Sequence, residues 1–340
     1  MKGINQPVSF SVEFGVNYIT HLYTLAGAGF EDKSYLEKYG DSIIKEELEC
    51  LKANAHLMSF LRRDHGPFAG LLYFTPSYFN FTSQDEFAEY LHSWARAVKQ
   101  RDFALFEKYS LNTQNDIGLF QVDDDTWENQ VLPLEKIFTR LGRIFVDNLD
   151  SYKTEIWPEV QPIFMHRAEA LNTQIQPNLI NRWEEITGYK FEPGKYKVVL
   201  FFAGADGPSW NNVALHKNTA FYNHDAKHML TMLSHEIGIH TLLPHFRETI
   251  SDFEDKLPDI TAENLYGNVS YMAFESLAAF YNEKILKKAQ STGQASNDYP
   301  LFKDIYDALY HPKRQPLDLY VKGIRLYLDK KIAPRDGVPL

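Results

Sequence analysis

Most of the chain carries the spacing of amphipathic helices, and this pattern limits the possible folds more than any other feature of the sequence. In the segments 35–63 and 83–110, apolar side chains recur at positions i, i+3, i+4 and i+7. An aromatic stretch containing Pro and Gly, at 65–82, separates them and predicts a loop or a helical corner. Residues 128–187 repeat the helical pattern. The sequence therefore predicts a predominantly helical protein.

Strand patterns are few and lie in the middle of the chain. The best one, at 196–202, is short, rich in β-branched and aromatic residues, and follows a Glu-Pro-Gly turn. A second candidate spans 213–222. Helical patterns return at 225–243, where we expect Pro244 to stop the helix, and again at 261–289. This order predicts an α+β fold with helices, a small sheet, and then two helices that carry a cluster of polar residues.

The same order predicts three segments. We expect a helical N-terminal region at 1–125, a central domain at 126–290 and a helical C-terminal appendage at 291–340. The stretch 290–298 is rich in Ser, Gly, Asn and Gln, so it is the clearest candidate for a linker. The acidic run Asp123-Asp124-Asp125 is interpreted as a turn or a helix N-terminus, with a metal site as the less favoured alternative.

The composition argues against several classes of partner. A net charge of −10 disfavours nucleic acid. No apolar run reaches the roughly 18 residues that a membrane helix needs, and the first residues lack the apolar core of a secretory signal. We therefore expect a cytoplasmic protein without a membrane partner. The single cysteine, Cys50, cannot form an intrachain disulfide or a cysteine-based metal cluster. The oligomeric state is unknown at this stage.

Histidine is concentrated in one short part of the chain. Six of the twelve histidines lie within 30 residues: His216, His224, His228, His235, His240 and His245. Two of them belong to the sequence His-Glu-Ile-Gly-Ile-His at 235–240, an HExxxH motif. The common zinc-hydrolase motif is HExxH, in which both histidines lie on one helix face and the Glu is the general base. The motif of this chain is one residue longer.

The extra residue changes the direction in which the second histidine points. On a regular α-helix, His235 and His240 would point about 140° apart, which is too far for both to bind one ion. A single π-type turn would reduce this angle to about 50°, and π turns occur mostly at functional sites. Gly238 lies inside the motif, where the lack of a Cβ would ease such a turn. We therefore expect a π turn within 235–240.

A catalytic zinc site needs three protein ligands and leaves a fourth position for water. The residues around the motif are strongly apolar, and polar groups in such surroundings are costly unless they bind something. Glu275 lies among apolar and aromatic residues of the next predicted helix, and a buried Glu is rare unless it is paired. Glu275 is therefore the predicted third ligand, with Glu283 and Glu263 as reserves.

At these residues the chain resembles the microtubule-associated tyrosine carboxypeptidase family and its bacterial relatives. Those proteins are gluzincin metallopeptidases with a motif of the form HEIGxH and a later Glu in an EGLA-like stretch. Here the motif is followed, 35 residues after His240, by Glu275-Ser276-Leu277-Ala278, with Ser276 where the family has Gly. The resemblance covers 213–285. The dipeptidyl peptidase III family has the same ligand spacing but carries Gly where this chain has Ile239.

This resemblance implies a zincin-like catalytic domain at 126–290 that binds one Zn²⁺ per chain. His235, His240 and Glu275 would be the zinc ligands, and Glu236 would be the general base. The implied activity is that of a zinc-dependent peptidase, carboxypeptidase-like, which hydrolyses peptides or proteins with zinc-activated water.

Other residues near the motif have candidate roles as well. His228 is a candidate donor to the developing oxyanion. Arg247 or Lys217 is a candidate for binding a substrate carboxylate. Two alternatives remain open at the level of function. One is a catalytically inactive, zincin-fold binding or interaction protein, and the other is a metal-dependent amidase that acts on a non-peptide substrate.

Overall fold

The computed structural model describes residues 8–28, 32–59, 66–110, 120–174, 178–192, 195–203, 210–212, 217–256, 269–287 and 299–332. Within these ranges the protein is predominantly helical and contains a small four-stranded sheet, which agrees with the predicted α+β class. No helix in the described ranges is both long and apolar enough to cross a lipid bilayer.

The chain divides into two compact units. Among the described residues, the sheet unit comprises those within 9–174 and 197–224, and the motif unit comprises Val8 and those within 175–196 and 225–332. Residues 126–174 fall in the same unit as the N-terminal helices, and the described C-terminal helices fall in the motif unit. The three predicted segments stay a prediction.

The sheet contains four strands in the spatial order β1-β2-β4-β3. They are β1 (Val8–Val12), β2 (Tyr196–Phe201), β3 (Trp210–Asn212) and β4 (Lys217–Phe221). β2 pairs with β4 in parallel, with Lys197 opposite Lys217, and β3 pairs with β4 antiparallel. Both predicted strands are therefore present. The first part of the second prediction, 213–216, lies outside the described residues.

Ten α-helices are described in the sheet unit. They are α1 (Phe14–Ala26), α2 (Lys33–Tyr39), α3 (Lys45–Ala53), α4 (Ala55–Met58), α5 (Thr75–Phe79), α6 (Gln84–Gln100), α7 (Asp124–Thr126), α8 (Leu132–Asp147), α9 (Leu149–Ser151) and α10 (Trp157–Gln174). Short 3₁₀ turns follow α6 at Phe103–Leu105 and Glu107–Tyr109. π-helical segments precede α5, α8 and α10, at Ala69–Phe74, Trp127–Val131 and Tyr152–Ile156.

Local chemistry explains where several of these helices begin. The Ser83 side chain accepts a hydrogen bond from the backbone N–H of Glu86, and α6 starts at the next residue. Asp123 accepts from the N–H of Thr126 in the same way, and this bond lowers the pKa of the Asp123 carboxyl. The acidic run is thus a helix N-terminus, as predicted. The described part of the segment 65–82 is largely helical, so it matches the predicted helical corner and not the predicted loop.

Five helices are described in the motif unit. They are α11 (Leu179–Thr187), α12 (Ala226–Lys256), α13 (Val269–Leu286), α14 (Tyr299–Leu309) and α15 (Pro316–Ile332). α13 is the most deeply buried of them, and Met272, Ala273, Phe274 and Leu277 have no exposed surface. The predicted linker 290–298 and the reserve ligand Glu263 lie outside the described residues.

The prediction that Pro244 stops the motif helix is wrong, because α12 continues through it to Lys256. A proline inside a helix removes one backbone hydrogen bond and costs about 3 kcal/mol. Leu242 and Phe246 flank it, and both are completely buried. Burying an apolar side chain of this size contributes about 1.5–3 kcal/mol, so the packing on both sides of Pro244 offsets the lost bond.

Candidate functional site

Helix α12 carries the whole HExxxH motif, and a side-chain cap sets its starting point. The Asp225 carboxylate accepts a hydrogen bond of 2.8 Å from the backbone N–H of His228, which lowers the pKa of Asp225. His228 therefore lies in the first turn, where it is exposed. His235 comes seven residues later on the same helix face, about 10 Å further along the axis. The structure thus aligns the two histidines without bringing them into contact.

The structure brings together two of the three predicted zinc ligands. Nε2 of His235 on α12 lies 3.1 Å from Oε2 of Glu275 on α13. Both side chains are mostly buried, with 19% and 12% of their surface exposed. Glu236, the predicted general base, follows His235 directly and is partly exposed. The structure therefore places Glu275 beside His235, and its role as a zinc ligand stays a prediction.

His240 lies on another side of the helix. α12 is α-helical from Ala226 to Lys256, so the π turn predicted within 235–240 is not formed. In this geometry His240 points about 140° away from His235. Its ring is buried, lies edge-on to the ring of Tyr196 with 4.8 Å between the centroids, and is 6.2 Å from the ring of Phe191.

The role of Gly238 also differs from the prediction. A Cβ at position 238 would lie 2.3 Å from Cη2 of Trp183 on α11, closer than real atoms approach. The glycine therefore allows the indole ring to pack directly against the backbone of α12, and it does not mark a π turn. Nε1 of Trp183 also donates a hydrogen bond of 3.1 Å to Oγ of Ser234, one helical turn earlier.

Zinc fits this arrangement only in part. His235 and Glu275 have the chemistry of zinc ligands and lie together. Across the described part of the chain, however, no three His, Cys, Asp or Glu side chains form a group that could hold a metal ion. The predicted His240 ligand is the one that the conformation of α12 keeps apart.

Two other candidate residues of the sequence, Glu283 and Lys217, are engaged elsewhere. Glu283 accepts a hydrogen bond of 3.0 Å from the hydroxyl of Tyr299. Lys217 belongs to the sheet unit, where it is buried and bonded to Glu13, so it is not available to bind a substrate carboxylate. Arg247 remains exposed on α12.

Sequence reasoning missed two residues that hold the motif helix in place. Trp183 contacts α12 at Ser234 and Gly238, as described above. Asn282 of α13 is completely buried, and its Nδ2 donates a hydrogen bond of 2.9 Å to the backbone carbonyl of Thr231. A glycine and an asparagine within apolar helices are the sequence signals that could have indicated close packing and a buried polar contact.

Comparison with known proteins gives no further assignment, since no family model, no curated protein and no solved structure matches this chain.

Proposed function

We propose that this chain is a zinc-dependent peptidase, carboxypeptidase-like and acting on peptides or proteins, with a zincin-like arrangement of its motif helices. The contact between His235 and Glu275 carries the proposal. These residues are 40 positions apart in sequence and come from two different helices, yet their side chains meet at 3.1 Å. A histidine of the motif and a glutamate of the following helix are the ligand types that catalytic zinc sites use.

The residues next to this contact have the chemistry that peptide hydrolysis requires. Zinc held by this chain would supply Lewis acidity toward the substrate carbonyl. Glu236 follows His235 directly and is partly exposed, and a carboxylate at this position has the chemistry of a general base. His228 lies two turns before His235 on the same helix face and is exposed, so it could donate a hydrogen bond to a part of the substrate away from the His235–Glu275 contact.

A different observation favours a second candidate, an interaction protein without catalytic activity. His240 is buried against Tyr196 and lies on another side of α12 from His235. A chain that keeps this conformation permanently offers two ligands rather than three. The peptidase proposal therefore requires α12 to change locally so that His240 can join His235 and Glu275.

The decisive test combines metal analysis with two substitutions in the purified full chain. We expect about one zinc per chain. Glu236→Gln should retain this zinc and lose peptidase activity, whereas His240→Ala should lose the zinc. Stoichiometric zinc in His240→Ala would contradict the ligand assignment, and the absence of zinc from the wild-type chain would favour the interaction protein. Hydrolysis of peptides with a free C-terminal carboxylate, but not of simple amides, would separate a carboxypeptidase from an amidase.

A further inference from the structure

Helices α12 and α13 share two polar contacts that lie along the same faces of the two helices. Nδ2 of Asn282 donates a hydrogen bond of 2.9 Å to the carbonyl of Thr231, and Nε2 of His235 lies 3.1 Å from Oε2 of Glu275. Thr231 lies one turn before His235 on α12, and Asn282 lies two turns after Glu275 on α13. The later residue of α12 contacts the earlier one of α13, so the helices run antiparallel here.

The backbone of α12 connects the first contact to the second. α12 is α-helical from Ala226 to Lys256, so the carbonyl of Thr231 also accepts the backbone N–H of His235, four residues later. The amide of Asn282 therefore bonds to the carbonyl that closes the helical turn leading to His235. Because Asn282 and Glu275 belong to one helix, a shift of Asn282 away from this carbonyl would also shift Glu275 relative to His235.

Apolar packing alone would not fix the register of α13 against α12. Most of α13 is buried, and the residues one turn before and after Asn282 are all apolar: Ala278, Ala279, Ile285 and Leu286. Apolar burial is non-directional, so a slip by one turn would exchange one apolar residue for another. Such a slip would move Glu275 about 5.4 Å along α12 and separate it from His235. It would also leave the carbonyl of Thr231 without the amide donor, and a hydrogen bond depends strictly on distance and direction.

We propose that Asn282 is a positioning residue that fixes the register of α13 against α12 and thereby holds Glu275 at His235. A single buried asparagine fixes the register of otherwise apolar helices in coiled coils by the same physical means. Asn282 is completely buried, so it acts through the backbone of Thr231 and not on a substrate. The contact that it maintains does not depend on metal, whereas the importance of this contact for catalysis rests on the proposed function.

A double-mutant cycle measures the contact between His235 and Glu275 directly. Urea unfolding of the full chain, with a chelator present throughout, is compared for the parent, His235→Ala, Glu275→Ala and the double variant. In the wild-type background we expect the two changes to be coupled by a factor of roughly ten in the unfolding equilibrium constant, as for other residues in contact. In an Asn282→Leu background the factor should fall to within about twofold of one, which means no coupling.

A second background guards against an effect of side-chain size. Leucine is larger than asparagine, so the cycle is repeated with Asn282→Ala, which removes the amide without adding volume. The stability of each background cancels from its own cycle, because all four chains of a cycle share the same residue at position 282. The coupling between His235 and Glu275 should be lost in both backgrounds.

Tyr306→Phe is the matched control. The hydroxyl of Tyr306 donates a buried hydrogen bond of 2.9 Å to the carbonyl of Ala273, so this change also removes a side-chain bond to the backbone of a motif-unit helix. The bond joins α14 to α13 and involves no residue of α12. A merely structural bond of this kind should affect stability and leave the coupling at roughly tenfold.

The outcomes separate this inference from the proposed function. Coupling that persists in both Asn282 backgrounds, that falls equally in Tyr306→Phe, or that is absent from the wild type would overturn the inference. The zinc content of the wild-type chain is measured separately. Zinc together with undiminished coupling in the Asn282 variants would overturn the inference alone. Coupling that depends on Asn282 in a chain that binds no zinc would support the inference and contradict the proposed function.

Discussion

His235 on α12 and Glu275 on α13 are two predicted zinc ligands whose side chains meet, with 3.1 Å between Nε2 and Oε2. The two helices also meet one turn before His235, where Asn282 bonds to the carbonyl of Thr231. Packing within the motif unit thus places a glutamate of one helix against the first histidine of the motif on the other.

Glu275 should be required for zinc binding, whereas Glu283 on the same helix should not. Replacing Glu275 with Gln removes a negatively charged ligand, so we expect zinc content to fall from about one per chain to near zero. Glu283→Gln is the matched control, because Glu283 bonds to Tyr299 instead and should leave the zinc content unchanged. Metal analysis of both purified variants measures this difference. Equal zinc content in the two variants would contradict the assignment of Glu275.

The buried His21 should make the stability of the sheet unit depend on pH. Its Nδ1 lies 2.7 Å from the hydroxyl of Tyr35, and burial lowers its pKa from 6.5 to about 3. Between these two values the unfolded chain binds a proton at His21 and the folded chain does not. The free energy of unfolding should therefore fall as the pH falls from 6.5 toward 3, by up to about 1.4 kcal/mol per pH unit, and this contribution is complete above pH 6.5.

Urea unfolding at a series of pH values measures this effect. His21→Gln should lose less stability on acidification than the wild type, because the group that resists protonation is gone. His92→Gln, which changes an exposed histidine of the same unit, should follow the wild-type profile. Identical profiles for His21→Gln and the wild type would refute the prediction.

Removing only one partner of the ion pair between Glu13 and Lys217 should lower the free energy of unfolding. Lys217 is buried, and its Nζ bonds to Glu13 and to the backbone carbonyls of Ser77 and Tyr78, at 3.0 and 3.2 Å. Burial lowers the pKa of Lys217, and Glu13 opposes this by favouring the charged form. Glu13→Gln leaves the buried charge without its counter-ion, so we expect a loss of about 3–5 kcal/mol in the free energy of unfolding.

Two further variants test the cause of that loss in the same urea experiment. Adding Lys217→Met to Glu13→Gln should restore part of the stability, because the unpaired charge is removed with its partner. Lys197→Met is the control, since Lys197 bonds to the same carboxylate at 3.0 Å but has half of its side chain exposed. Its loss should be about 1 kcal/mol or less. A loss as large as that of Glu13→Gln would argue against burial as the cause.

A methyl group added at position 238 should destabilise the fold, because Gly238 is in contact with Trp183. Gly238→Ala places a Cβ against the indole and should lower the free energy of unfolding by about 1–3 kcal/mol, as other overpacked sites do. Combining it with Trp183→Phe should cost less than the sum of the two single changes, because the residues share one contact. Gly70→Ala, which meets no atom within 4 Å, is the control and should be close to neutral. Strict additivity of the Gly238 and Trp183 changes would contradict direct contact.

Much of the secondary structure, and one contact of the site, could be predicted from local patterns. The period of the apolar residues identifies α12 and α13, and the short β-branched run identifies β2. Glu275 could be chosen because a carboxylate among apolar residues needs a partner, and His235 is the partner that the structure supplies. These features depend on side-chain chemistry over a few helical turns, which the sequence contains directly.

Tertiary packing decided the features that the local patterns predicted wrongly. Pro244 stays inside α12 because buried residues on both sides stabilise the helix more than the missing backbone bond weakens it. Gly238 accommodates Trp183, a residue 55 positions earlier in the sequence, so the glycine supports an α-helical turn rather than a π turn. The sequence therefore specifies which residues can act as ligands. The packing of α13 against α12 brings His235 and Glu275 together in this conformation, because the direction of each side chain depends on contacts between distant parts of the chain.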